Sequence, residues 1–286
     1  RTHGGRVGRR LGAFFAAGLA GNRHGVLRGK ERMVAARGHG TVLRSGDAML
    51  QDEACLSMTC WMHGVFAAQL TIGNTTFHKL FSVSRDPYNI VRSSGPRFLV
   101  EECRLWRLLG VPSAFEIGLG DCRWIYRLGR RTVTVRAVAA GAAAAAQWRI
   151  AVEGEPCRFL VFGHIVLGER EPNPAGRIEI DRAARRFTCR PDPQSLWGKT
   201  YPKAVKLIVT GTPDEIEAMG GDELLYADGR SRGGPYVAMR TRATNGLSFA
   251  VVGSLTDPAA AERLADSYGR GVAEESMLAS AARYWE

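Results

Sequence analysis

From residue 56 onward the chain alternates between apolar and polar positions. Leu56, Met58, Cys60 and Met62 take every second place, with Ser57, Thr59 and Trp61 between them. A period of two places successive side chains on opposite faces, which predicts a half-buried strand. Further strands are predicted in RFLVEE, CRWIYRL, TVTVRAV, QWRIAVEG, RFLVFGHIVLGE, GRIEID, RRFTCRP, KAVKLIVTG, PYVAMRTRA and LSFAVVGSL, with an early one at GTVLR. Gly, Pro, Asp or Asn separates most of them. Many short strands with few helices between them predict a mainly β protein built as a large antiparallel β-sandwich, not alternating β-α units. Within IEIDRAARRFTCR, Asp181–Arg185 reads as the turn of a hairpin.

Helical signals are few. In TPDEIEAMGG, Thr212 can cap, Pro213 suits the first helical position and Glu215 completes a capping box, so a short helix ending at Gly220-Gly221 is expected. The Ala-rich AVAAGAAAAAQWR reads as a short loop with a helical turn as readily as a helix. Asp257 can cap a helix opened by Pro258, running through Tyr268 and closed by Gly269 and Gly271. In the closing VAEESMLASAARYWE, Val272, Met277, Leu278, Ala281, Tyr284 and Trp285 form one apolar stripe at helical spacing. That stripe is expected either to pack on a further domain or to fold back on the sandwich.

Composition narrows the function classes. The 45% of hydrophobic residues suffices for a substantial core. No apolar run approaches the roughly 20 residues of a membrane span. LGAFFAAGLA after Arg9-Arg10 only faintly resembles a signal peptide. The net charge of +11 is concentrated in residues 1–46, which hold ten Arg or Lys against one acid, Glu31. An excess carried by a Gly- and Arg-rich leader reads as a solvated, flexible lead-in, and no nucleic-acid partner is expected. The six cysteines, none in a C-x-x-C pair, show no structural zinc spacing. Scattered single cysteines in apolar settings read as buried thiols of a cytoplasmic protein. No metal is expected.

Candidate chemistry is sparse. The acids Asp52-Glu53, Glu101-Glu102, Glu169, Glu171 and Asp222-Glu223 sit beside turns or strand ends, where charged residues usually face water. His63 reads as a structural, hydrogen-bonded histidine. No G-x-S-x-G, Walker loop or H-E-x-x-H is present, and GGRVGRRLG lacks the preceding strand of a dinucleotide fingerprint. No catalytic residue is assigned. The better candidates are polar residues in aromatic-bearing loops, since sugars are held by aromatic platforms and by planar polar side chains. SVSRDPYNIVRSSGPR offers Arg85, Asp86, Tyr88 and Asn89; DPQSLWGKTYPK offers Trp197, Lys199 and Tyr201. The plainer reading of Arg85-Asp86 is an Asx-Pro turn with a local ion pair, and of Trp197 packing beneath its loop.

Three stretches resemble one enzyme family. GSLTDPAAAERLADSYGRGVAEESMLASAARYWE is similar to the end of the N-terminal sandwich of cellobiose-phosphorylase-like enzymes (glycoside hydrolase family 94), with Ala261, Leu264 and Tyr268 in the first helix and Trp285 in the final aromatic position. HGVFAAQLTIGNTTFHKLFSVSRDPYNI and SLWGKTYPKAVKLIVTGTPDEIEAMGGDELL also resemble this group, including its cyclic-glucan-synthase-like members. The resemblance spans Ser45 to Glu286. It implies a galactose-mutarotase-like super-sandwich over residues 47–256, then a helical linker over 257–286 leading to an (α/α) barrel that carries the catalytic Asp. It also implies a β-glucan or oligosaccharide substrate, phosphorolysis or glucan transfer, no cofactor, a homodimer, and loops that border the substrate cleft. On this reading the chain is a fragment, and Tyr284 and Trp285 begin the linker to the missing catalytic domain. The alternative expectation is a free-standing carbohydrate-binding or scaffolding β-domain.

Overall fold

The computed structural model describes the strand segments 16–19, 23–27, 38–43, 56–63 and 69–72. From residue 96 it describes all positions except 110–111, 118–120, 140–144, 166, 168–175, 270–273 and 286. The described strands are β1 (Ala16–Leu19), β2 (Arg23–Leu27), β3 (Gly38–Leu43), β4 (Leu56–His63), β5 (Gln69–Ile72), β6 (Arg97–Glu102), β7 (Leu105–Leu108), β8 (Ala114–Ile117) and β9 (Asp121–Leu128). They continue with β10 (Arg131–Ala139), β11 (Ala145–Glu153), β12 (Phe159–His164), β13 (Gly176–Asp181), β14 (Arg186–Pro191), β15 (Val205–Thr210), β16 (Ile216–Gly220), β17 (Tyr236–Thr241) and β18 (Gly246–Ser254). The described helices are α1 (Leu196–Thr200), α2 (Pro258–Gly269) and α3 (Glu274–Trp285).

Ten strands form one antiparallel sheet in the order β1-β2-β8-β9-β10-β11-β18-β15-β14-β13, and five form a second in the order β16-β17-β12-β6-β7. A three-stranded sheet, β3-β4-β5, is built around the alternating Leu56–His63 stretch. β1 and β2 fall within the basic leader and join the large sheet through pairing of β2 with β8.

The two large sheets share one core. Phe98, Val100, Phe159 and Val161 from the smaller sheet pack with Trp148 and Phe249 from the larger. Trp148 is the hub, with ring centroids 5.7 Å from Phe98, 5.8 Å from Trp124 and 6.3 Å from Phe249. In the larger sheet, between β18 and β14, every residue of β15 is buried. Such a strand needs cover on both faces. One face meets the sandwich interior. The other carries Val205, Leu207 and Val209, which pack with Ala261, Ala265 and Tyr268 of α2 and Met277 of α3.

Helix α2 starts where its signals placed it. The Asp257 carboxylate accepts from the Ala260 N–H at 3.1 Å, ahead of Pro258. In α3 the apolar stripe docks on this chain's own sheet through buried Met277 and half-buried Leu278. The side chains of Ala281, Tyr284 and Trp285, like residue Val272 and the middle of the Ala-rich loop, lie outside the described residues.

The expected helix in TPDEIEAMGG is corrected. Only Pro213–Glu215 forms a single 3₁₀ turn, and Thr212 makes no side-chain cap bond. Its hydroxyl accepts from the Ser248 N–H instead, at 3.1 Å. Ile216–Gly220 is strand β16, paired with β17 through a bulge between Ile216 and Ala218. Ile216 and Met219 enter the core, and that burial with the β17 pairing outweighs a capping signal that extends over one turn only. The hairpin read at Asp181–Arg185 is present, with the Asp181 carboxylate accepting from the Ala184 N–H and Arg185 at φ 52°.

Candidate functional site

The loop after β14 is built from Asp192. Its carboxylate accepts from the Gln194 N–H at 2.9 Å, and its carbonyl accepts from the Ser195 N–H at 2.9 Å and the Ser195 hydroxyl at 2.6 Å. The same Ser195 oxygen accepts from the Gly198 N–H at 2.9 Å and so caps α1. Gly198 is required there, because a Cβ would lie 1.9 Å from the Asp192 carbonyl oxygen.

One turn of helix brings Trp197 and Tyr201 together. Their rings stack at 5.6 Å between centroids and 12° between planes. Both pack on buried Ala204 and Leu255 and are themselves half-buried. Lys199 is exposed, and two residues from Trp197 it lies on another side of the turn. The structure thus unites two of the three candidates of this loop. Arg85, Asp86, Tyr88 and Asn89 lie outside the described residues, as do Asp52, Glu53, Glu169, Glu171 and the side chain of His63.

The described acids are held by partners. Glu101 meets Arg158 at 3.0 Å, and Glu102 meets Arg107 at 3.2 Å and Arg131 at 3.5 Å. The Glu223 carboxylate accepts from the Gly221 N–H at 2.9 Å. Asp222 is almost fully enclosed, contrary to the expectation that it faces water. Its carboxylate accepts from the Ser231 hydroxyl at 2.5 Å and from the N–H groups of Arg232 at 2.7 Å and Gly234 at 3.0 Å. Burial pushes its pKa up, but the Ser231, Gly234 and Arg232 hydrogen bonds more than offset this and hold it below the usual carboxylate value. A carboxyl kept ionised in this way is the opposite of a general acid, which must carry a proton to a leaving oxygen.

Asp222 organises a second loop, over residues 221–235, whose Tyr226, Asp228 and Arg232 sequence reasoning did not single out. Tyr226 is exposed there, with the Arg232 guanidinium 4.1 Å from its ring centroid. Arg232 donates to both oxygens of Asp228, at 2.7 and 2.8 Å, and to the Arg230 carbonyl. The available signal was the aromatic at the head of a Gly- and Arg-rich stretch.

Other features are poor ligand sites. A cavity of about 30 Å³ between the sheets is lined by apolar groups such as Phe162, Phe187, Met239 and Phe249, which cannot orient hydroxyls. Among the described residues no three His, Cys, Asp or Glu side chains converge as metal ligands, and no helix is long and apolar enough to cross a membrane. Cys122, Cys157 and Cys189 are buried thiols, whereas Cys103 is exposed.

Residues 1–253 match the sequence model of the glycoside phosphorylase supersandwich domain. The chain belongs to this family. The supersandwich domain is 32% identical over 205 residues to the 1,2-beta-oligoglucan phosphorylase of Listeria innocua serovar 6a, an alignment covering 71% of this chain and 18% of that protein. The chain therefore spans less than a fifth of that relative's length. Among solved structures, a bacterial glucoamylase complexed with acarbose aligns over 87% of this chain and 38% of its own, with a TM-score of 0.50 and 7% identity. That likeness is one of fold. A family GH92 inverting mannosidase from Bacteroides thetaiotaomicron aligns over 67% of this chain and 25% of its own, with a TM-score of 0.42 and 12% identity.

Proposed function

We propose that this supersandwich domain serves a glycoside phosphorylase that acts on β-linked glucans, with 1,2-linked oligoglucans as the first candidate substrate. The observation that carries the reading is the family match over residues 1–253 together with the 32% identity to an oligoglucan phosphorylase. In phosphorolysis, phosphate attacks the anomeric carbon while an acid protonates the leaving oxygen, giving glucose 1-phosphate and a shortened glucan. The candidate acids Glu101, Glu102, Asp222 and Glu223 are ion-paired or hydrogen-bonded into the fold, which favours a supporting role for this domain and a catalytic acid carried elsewhere in a longer enzyme. The same reading makes residues 257–286 the start of the linker and the enzyme a cytoplasmic homodimer. The loop carrying Trp197, Lys199 and Tyr201, and that carrying Arg85, Asp86, Tyr88 and Asn89, then border the substrate cleft.

The test is an assay of glucose 1-phosphate formation from β-1,2-oligoglucan and inorganic phosphate. Turnover is expected from a longer protein that includes this domain and none from residues 1–286 alone. Turnover by this chain alone, or a longer protein inert on every β-glucan, overturns the reading.

A further inference from the structure

We propose that the loop over residues 221–235 is a glucan-contact surface in which Tyr226, Asp228 and Arg232 meet the sugar. The proposal rests on the reading of the domain as part of an enzyme of β-glucans. Leu105, Leu108, Leu196 and Tyr226 are the exposed large hydrophobic side chains among the described residues. Tyr226 alone of these combines a ring with adjacent planar polar groups. The Arg232 guanidinium lies 4.1 Å from the ring centroid and is held flat by its fork to Asp228. A pyranose offers an apolar C–H face to a ring and adjacent hydroxyls to paired donors and acceptors, and this trio supplies both.

The charges indicate the class of ligand. Asp228 and Arg232 neutralise one another, and across the loop Asp222, Glu223 and Asp228 outnumber Arg230 and Arg232, so the surface has no cationic excess and suits an uncharged, hydroxyl-rich molecule over an anion. The loop is also fixed in advance. Below it, the enclosed Asp222 carboxylate gathers Ser231, Arg232 and Gly234. Gly229 and Gly233 adopt φ of 65° and 75°, the left-handed region that favours glycine. A surface already in its binding shape loses little conformational freedom on contact. The Trp197 and Tyr201 rings, by contrast, are half-buried against Ala204 and Leu255, whereas Tyr226 is exposed.

Native affinity electrophoresis of the whole chain, in gels holding β-1,2-glucan, dextran or no polysaccharide, tests this. Retardation is expected in β-1,2-glucan alone, weakened about tenfold by Tyr226→Ala and by Arg232→Lys, which keeps the charge but loses the fork, and retained by Tyr226→Phe. Thermal melts identify any variant that fails to fold, and Arg232→Lys carries the test if Tyr226→Ala does. Equal retardation in dextran, no retardation of the native chain, or unchanged retardation of the folded variants overturns the proposal. Each of these outcomes leaves the phosphorolysis assay, and the functional reading behind it, to stand or fall separately.

Discussion

Lys206 lies opposite Cys189 across the pairing of β15 with β14, and both side chains are enclosed. They share a strand face with Ile208 and Phe187, so they point into the sandwich. Burial pushes the Lys206 amine down to about 7 from its ordinary 10.5, and burial pushes the Cys189 thiol up to about 12 from 9.0. Between pH 7 and 9 the unfolded chain binds a proton that folded Lys206 has released, so stability rises with pH. Above pH 9 the unfolded thiol ionises while folded Cys189 keeps its proton, and that opposes the rise. Urea unfolding from pH 6.5 to 10 is therefore expected to show stability climbing to about pH 9 and then levelling, by at most about 1.4 kcal/mol per pH unit. Lys206→Met should flatten the climb and stabilise the domain at pH 7. An unchanged pH profile in that variant would show that Lys206 is not the titrating group.

Gly198→Ala tests the loop that holds Trp197. The new Cβ would meet Asp192 and Pro193 backbone atoms at 1.9 and 2.9 Å, and neither can rotate away. The loop must open, at a cost of about 1–3 kcal/mol, and the Trp197–Tyr201 stack should loosen with it. Chemical denaturation reads the first effect and a red shift of tryptophan emission the second. Native stability and an unshifted spectrum would contradict the loop geometry.

The strands were legible because their signal is local and repeated. β9, β10 and β11 show the alternation because one face of each enters the core, where Val133, Val135 and Ile150 are buried. Where a strand is short the signal weakens. β7 exposes Leu105 and Leu108, and β16 hides behind a turn rich in helix-start residues. The sites were less legible because their partners are distant in sequence. An aromatic in a polar loop marked Trp197, but nothing local pointed to Leu255 beneath it. Asp222 looked like a surface acid because the groups that enclose it, Ser231 to Gly234, form a stretch that reads as a solvated loop.

Asp222 makes a graded prediction. Its Oδ1 accepts from a hydroxyl that can reverse, whereas its Oδ2 accepts from two backbone N–H groups that cannot. Asn can still offer one oxygen to the N–H pair and donate to Ser231, so Asp222→Asn should lose only the charge assistance, about 1 kcal/mol. Asp222→Ala leaves the donors unmet and should cost about 3 kcal/mol. Because hydrogen bonding lowers the native pKa, this stabilisation is present above the ordinary carboxylate value and fades as pH falls through the native one. Guanidinium melts at pH 7 and at pH 3 separate the variants; equal stability of Asn, Ala and native chains at pH 7 would remove Asp222 as the anchor of the loop.

The docking of α3 can be tested at Met277. Its side chain is buried with Val138, Ala145 and Tyr268, so the helix covers apolar surface on the outer face of the large sheet. Truncating it leaves a cavity that a helix joined to α2 by a short connection can only partly close. Met277→Ala should therefore cost about 2–5 kcal/mol, and Met277→Leu, which nearly conserves volume, less than about 1.5 kcal/mol. Met277→Glu would place a carboxylate against apolar neighbours and should free the helix, measured as faster amide exchange across 274–285 with the α2 amides still protected. If all three variants melt with the native chain, α3 does not dock on this sheet in solution, and the apolar stripe is left for another surface to cover.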